Sequence, residues 1–221
     1  MIMQFELKGK PAFAHAKVEI EPGETFIAES DAMSSMSAEL DVEAKLNGNF
    51  LNALLKKIFG GETLFVNHFT NNTAKTLELT ITQPTPGDMQ IKELNGESFC
   101  LQQGAYIASE KNVKLGVKYA GFGSWIGGEG LFKLMVSGHG KVVFGAFGGL
   151  LEKEVNGEVI VDTSHLVGYE PTMKLKPQFS GGLVATIFGG EGLVTRVERT
   201  GKVFIQTRSM SGLSSWVTRN L

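Results

Sequence analysis

Two stretches of the chain alternate apolar and polar residues with a period of two. Ala16-Lys17-Val18-Glu19-Ile20-Glu21 and Leu77-Glu78-Leu79-Thr80-Ile81-Thr82 each predict a strand with one face on a core and the other in water. Asn95-Gly96 and Asn156-Gly157 predict hairpin turns, because a type I′ turn needs positive φ at both central residues. Pro22-Gly23 predicts a turn of another type, and Gly138-His139-Gly140 and Thr200-Gly201 add two more. The serine run from Ser30 to Ser37 predicts a loop with local side-chain capping. One stretch has a different period. Phe50, Leu51, Leu54, Leu55, Ile58 and Phe59 recur at helical spacing, with Asn52, Lys56 and Lys57 between them, which predicts a short amphipathic helix.

A longer pattern overlies these elements. Ile58-Phe59-Gly60-Gly61-Glu62-Thr63-Leu64-Phe65 reappears as Trp125-Ile126-Gly127-Gly128-Glu129-Gly130-Leu131-Phe132 and again as Ile187-Phe188-Gly189-Gly190-Glu191-Gly192-Leu193-Val194. Each copy has a Gly-Glu turn upstream, at Gly23-Glu24, Gly96-Glu97 and Gly157-Glu158, lying 37, 31 and 32 residues before the first motif glycine (60 − 23, 127 − 96, 189 − 157). Each also has a lysine-led apolar stretch downstream, beginning at Lys75, Lys141 and Lys202. Ordered landmarks recurring in three copies report a repeated supersecondary unit. The expected architecture is therefore all-β: one compact domain of three pseudo-symmetric antiparallel units, about residues 16–83, 89–153 and 154–212, with at most one or two short helices. Pro84-Thr85-Pro86-Gly87-Asp88 is the most linker-like segment between units.

Composition narrows the functional classes. Lysine plus arginine number 21 against 23 acidic residues, so the net charge of −2 supplies no overall attraction to a phosphate backbone, and no nucleic-acid partner is expected. Met1-Ile2-Met3-Gln4-Phe5-Glu6 lacks a basic region followed by an apolar run, which predicts a cytoplasmic location. The apolar stretch from Val142 to Leu151 is too short to span a bilayer as a helix. Cys100, the single cysteine, sits between apolar neighbours and is expected to be a small buried hydrophobe.

The repeated apolar-Gly-Gly-Glu-x-Leu phrases, with the continuation Phe65-Val66-Asn67-His68-Phe69-Thr70, resemble a bacterial family related to the altered-inheritance-of-mitochondria proteins. The resemblance covers nearly the whole chain. It implies a fold like the tryptophan RNA-binding attenuation protein, prism- or barrel-like and repeated within one polypeptide, and in eukaryotic relatives a role in mitochondrial inner-membrane organisation. It carries over no catalytic residue, and a shared fold does not transfer a ligand site.

Familiar chemistries find little footing. His15, His68, His139 and His165 are far apart in sequence and occupy different places in the repeats, so no metal site is expected. Gly121, Gly123 and Gly127 miss the dinucleotide spacing, and Ser137 to Lys141 lacks the phosphate-loop spacing. No catalytic residue and no cofactor is expected. Glu62, Glu129 and Glu191 admit three readings: a hard-cation site, paired carboxylates, or acceptors for backbone N–H groups of their own glycine turns. The last is preferred, because a structural repeat keeps its turn chemistry in every copy.

The expected function is a non-catalytic interaction or assembly protein. Leu54, Ile58, Phe59, Phe122, Trp125, Ile126, Leu183, Ile187 and Phe188 flank the repeated turns formed by Gly60, Gly61, Glu62, Gly127, Gly128, Glu129, Gly189, Gly190 and Glu191. Soluble proteins more often place polar residues beside turns. Either these side chains form a sticky surface or they plug the ends of the units. The expected partner is a second copy of the chain, with another protein or a membrane surface also open, the latter through the segment from Phe50 to Phe59. A small-molecule-binding or enzymatic β-barrel, with a ligand pocket between units, is the alternative.

Overall fold

The alternating stretches are strands in the computed structural model, which describes residues 3–46, 65–102, 104–119, 132–179 and 193–220. In chain order they are β1 (Gln4–Lys8), β2 (His15–Ile20), β3 (Thr25–Glu29), β4 (Met33–Met36), β5 (Asp41–Leu46), β6 (Phe65–Thr70), β7 (Leu77–Ile81), β8 (Met89–Leu101), β9 (Tyr106–Glu110), β10 (Val113–Tyr119), β11 (Phe132–Gly145), β12 (Leu150–Val155), β13 (Glu158–Asp162), β14 (Leu166–Tyr169), β15 (Lys174–Phe179), β16 (Leu193–Glu198) and β17 (Gly201–Gln206). A 3-10 turn, Thr163–His165, precedes β14, and one helix, α1 (Met210–Asn220), follows β17. The predicted all-β, antiparallel class is what the chain adopts. The strands form a four-stranded sheet, β1-β2-β7-β4, a three-stranded sheet, β13-β16-β15, and a ten-stranded sheet, β12-β17-β14-β8-β11-β9-β3-β6-β5, in which β10 also pairs β11.

The asparagine-glycine turns are not hairpins. β8 runs straight through Asn95-Gly96, and β12 and β13, on either side of Asn156-Gly157, do not pair with each other. Instead β12 pairs β17 while β13 pairs β16, just as β2 pairs β7 while β3 pairs β6. The left-handed glycines, Gly23 (φ 80°), Gly96 (φ 104°) and Gly157 (φ 107°), are corners: at Gly23 and Gly157 the chain leaves one sheet and enters the next, whereas at Gly96 β8 stays in the ten-stranded sheet along β11. Gly138-His139-Gly140 is likewise no turn: it lies within β11, where the register to β8 shifts between Ser137 and His139. Two of the corners are closed by a glutamate, since the Glu24 and Glu97 carboxylates accept the backbone N–H of Glu21 (3.1 Å) and Asn95 (2.7 Å).

Alternation along the strands divides the interior into three clusters. Phe99, Leu101, Tyr106, Leu134, Val136, Phe144, Val167 and Phe204 pack into the first. Neighbouring residues on the same strands point the other way. Phe26, Ala28, Ile107 and Val143 join Val18, Ile20, Leu79 and Ile81 of the four-stranded sheet in a second cluster. Cys100, Tyr169 and Val203 join Val161 and Val197 of the three-stranded sheet in a third. The ten-stranded sheet thus carries core on both faces, and the two small sheets each cover part of the same side. Cys100 is buried, as its apolar neighbours predict.

Pro84 to Asp88 is not a free linker. Gly87 O accepts the N–H of Ala14 (2.9 Å), Pro86 O accepts that of Gly148 (3.0 Å), and Asp88 N–H donates to Gly148 O (2.8 Å). A Cβ at Gly87 would lie 1.8 Å from Ala146 O, so only glycine lets the two backbones meet here. The serine run is likewise structured: its centre is β4, which pairs β7, and Ser37 Oγ accepts the N–H of Glu78 (2.9 Å).

Candidate interaction surface

The repeated phrases Gly60-Gly61-Glu62, Gly127-Gly128-Glu129 and Gly189-Gly190-Glu191, and the flanking Leu54, Ile58, Phe59, Phe122, Trp125, Ile126, Leu183, Ile187 and Phe188, lie outside the described residues, as does the helix predicted over 50–59. The strands on either side of each phrase are described, and they are paired. β5 and β6 run together to Leu46↔Phe65, β10 and β11 to Tyr119↔Phe132, and β15 and β16 to Phe179↔Leu193. Each apolar glycine-rich segment therefore joins the two arms of an antiparallel ribbon.

Near the end of each ribbon sits a polar residue six positions past the corner glycine: Glu29, Gln102 and Thr163. Glu29 stands opposite Val66, one step inside the last described pair. Burial, reinforced by the nearby Asp31 charge, raises its carboxyl pKa to about 7. Gln102 Oε1 accepts a hydrogen bond from Lys133 Nζ (2.6 Å), and Lys133 is buried despite its charge. Thr163 and Thr195, both buried, share a hydroxyl hydrogen bond of 2.8 Å. In the first cluster the Tyr106 hydroxyl bonds Ser109 Oγ (3.0 Å), and burial raises its pKa. Periodicity does not single out this polar set, since Gln102 lies just past the end of β8 and Thr163 in the 3-10 turn, outside any alternating strand. Counting six residues from the corner glycines finds Glu29, Gln102 and Thr163.

The helix α1 was not foreseen. Met210, Leu213, Trp216 and Val217 recur at helical spacing, which is the signal that marks it, and all four are exposed, Trp216 at 62%. Its polar ends are tied locally, with Ser209 Oγ accepting the Gly212 N–H (3.1 Å) and the Arg219 side chain donating to Ser215 O (3.2 Å).

Among the described residues no three metal-ligating side chains come together. His15 lies on β2, His68 on β6, His139 at the bend of β11 and His165 in the 3-10 turn. An open depression over β1 and β2 is lined by Glu6, Lys17, Glu19 and Glu78, and its lysine is paired with Glu78 at 3.2 Å. No helix among the described residues is long and apolar enough to cross a membrane.

The whole arrangement has relatives. A crystal structure of a Streptococcus pyogenes protein superposes with a TM-score of 0.80, covering 99% of this chain and 100% of that one at 22% identity, a likeness of fold. An uncharacterized protein of Streptococcus pyogenes serotype M6 is 22% identical over 228 residues, which span 99% of this chain and 91% of the relative. The family model described as mitochondrial biogenesis AIM24 matches residues 5–208, ending just before α1, and the chain belongs to that family.

Proposed function

We propose that the protein is a non-catalytic interaction and assembly module of the cytoplasm, built from three pseudo-symmetric units on a plan like that of the tryptophan RNA-binding attenuation protein, and that it associates with itself through its apolar glycine-rich segments. One observation carries this reading: three paired ribbons each end in such a segment. Phe59, Trp125 and Phe188 bring large apolar areas to the segments, and glycine lets the backbone turn sharply beside them. At about 25 cal/mol per Å², removing a few hundred Å² from water offers several kcal/mol, part of which offsets the cost of docking. In sedimentation velocity at micromolar concentration the wild type is expected to exceed its 23.9 kDa monomer mass. The combined variant Phe59→Ser, Trp125→Ser, Phe188→Ser is expected to be lighter. An unchanged mass in that variant, with its circular dichroism intact, rejects the reading.

A second reading, peripheral contact with a membrane, is favoured by α1. Its exposed Met210, Leu213, Trp216 and Val217 are flanked by Arg208 and Arg219, and no acidic residue follows Glu198. An apolar face with basic flanks suits the boundary of an anionic bilayer. Co-sedimentation with vesicles containing phosphatidylserine is expected, and Leu213→Ser with Trp216→Ser should reduce the bound fraction several-fold. Equal pelleting with and without vesicles rules this contact out.

A further inference from the structure

The same junction between strands is built twice inside the chain and left open once at each end. At the first junction β3 pairs β9, with Ala28 opposite Ala108 and Ile27 opposite Ser109. At the second, β8 pairs β14, with Leu101 opposite Gly168 and Cys100 opposite Tyr169. The positions correspond. Ala28, Leu101 and Asp162 are each five residues past a corner glycine (28 − 23, 101 − 96, 162 − 157).

The receiving strands correspond as well, because each carries the same bulge against its inner partner. The register shifts between Met33 and Ser35 on β4 opposite β7, between Tyr106 and Ala108 on β9 opposite β11, and between Leu166 and Gly168 on β14 opposite β17. β4 is thus the first unit's version of β9 and β14, and β13 is the third unit's version of β3 and of the second half of β8. A third junction would pair β13 with β4. Among the described residues it is not made: β13 pairs only β16, and β4 pairs only β7.

Both open edges show what the missing partner would cover. Phe26 and Phe99 are fully buried, whereas Ile160, at the matching position of β13, is 55% exposed. All of β14 and all but the last residue of β9 are buried, whereas every residue of β4 is exposed, with Met33 at 41% and Met36 at 36%. The position that meets the incoming strand is small in all three versions, Ala108, Gly168 and Ser35, and a Cβ on Gly168 would lie 2.7 Å from Phe99 Cζ.

Composition singles out the same two strands. Natural sheets protect open edges with lysine or proline. The other edge strands carry one or both: Lys8 on β1, Lys45 on β5, Lys114 and Lys118 on β10, Lys153 on β12, and Lys174, Lys176 and Pro177 on β15. β4, Met-Ser-Ser-Met, and β13, Glu-Val-Ile-Val-Asp, carry neither.

We infer that β13 of one copy pairs antiparallel with β4 of a second copy, in the register of the internal junctions, with Asp162 opposite Ser35, Val161 opposite Met36 and Ile160 opposite Ser37. The contact is head-to-tail, so it propagates into a ring or an open row rather than ending at a dimer. It uses none of the residues assigned to the glycine-rich segments, and the two interfaces stand or fall separately.

Two variants with one added cysteine each test it, Ile160→Cys and Ser37→Cys, with Cys100 left buried in the core. Under mild oxidation the mixture is expected to give a disulfide-linked dimer containing one chain of each kind, while either variant alone gives at least ten-fold less. Ile160→Lys, introduced at an exposed side chain and therefore compatible with folding, is expected to weaken association at least ten-fold. The cross-link should persist in the Phe59→Ser, Trp125→Ser, Phe188→Ser background. Failure of the mixed chains to cross-link overturns the inference, as does equal cross-linking of each variant with itself, which would mean a symmetric contact.

Discussion

Replacing Phe144 by alanine should produce the largest loss of stability of any single change considered, about 3–5 kcal/mol, the range for emptying a buried aromatic site. Phe144 lies on β11, is fully buried, and touches two other rings of the first cluster: Phe99 of β8, with centroids 5.5 Å apart, and Phe204 of β17, at 5.3 Å. Phe99 and Phe204 close the triangle at 5.3 Å, edge to face. Each ring comes from a different strand, so the triangle fastens β17 to β8 and β11. Removing one ring forfeits its transfer free energy and leaves a void that three strands of one hydrogen-bonded sheet can close only in part. Against a typical total of about 5–15 kcal/mol for a folded domain, the change threatens folding itself. Urea denaturation followed by circular dichroism measures it. A midpoint shift worth less than about 1 kcal/mol would show that these three strands are held together elsewhere.

A pH-dependent effect should appear at Glu29. Burial, and secondarily the Asp31 charge, holds its carboxyl pKa at about 7, against 4.5 without those influences. The folded chain therefore keeps a proton that the unfolded chain releases. Below pH 4.5 both states are protonated and the group costs nothing. As pH rises from 4.5 to 7 the unfolded state gains from ionising while the folded state does not, and stability falls by 1.36 kcal/mol per pH unit. The accumulated penalty is about 3 kcal/mol above pH 7. Glu29→Gln is thus expected to match the wild type at pH 4 and to exceed it by up to about 3 kcal/mol at pH 8, read from denaturation midpoints at the two pH values. Equal stabilities at pH 8 would show that the carboxylate is solvated when ionised. Because Glu29 stands beside the end of the β5–β6 ribbon, the same titration should loosen the base of the first glycine-rich segment as pH rises through neutrality.

Local patterns in the sequence carried the class of structure and much of its layout. Alternation at Ala16 to Ile20 and Leu77 to Ile81 was enough for two strands, since a strand half in a core must alternate, and their apolar members face the second cluster. The apolar neighbours of Cys100 were enough for its burial. What the positive-φ glycines do was not legible. Asn95-Gly96 has the local preferences of a hairpin, and whether the chain turns back or bends onward depends on whether a long antiparallel partner continues past the corner; β11 does so for β8, with Asn95 opposite His139. Pro84 to Asp88 reads as a linker for the same reason, because proline and glycine advertise irregular backbone but not what it rests against, and only tertiary contact brings Gly148 and Ala146 to it.

The edges mark the sharpest division. The threefold recurrence of the Gly-Gly-Glu phrases was legible in the sequence alone, because such landmarks are local and survive in the linear order of residues. The sequence could not reveal that the strand junction forms twice and that, among the described residues, β4 and β13 each keep one edge unpaired. Burial of Phe26 and Phe99 and exposure of Ile160 arise from similar residues at matching positions. What separates them is whether a neighbouring strand is present, and that is a property of the assembled sheets rather than of any stretch of chain.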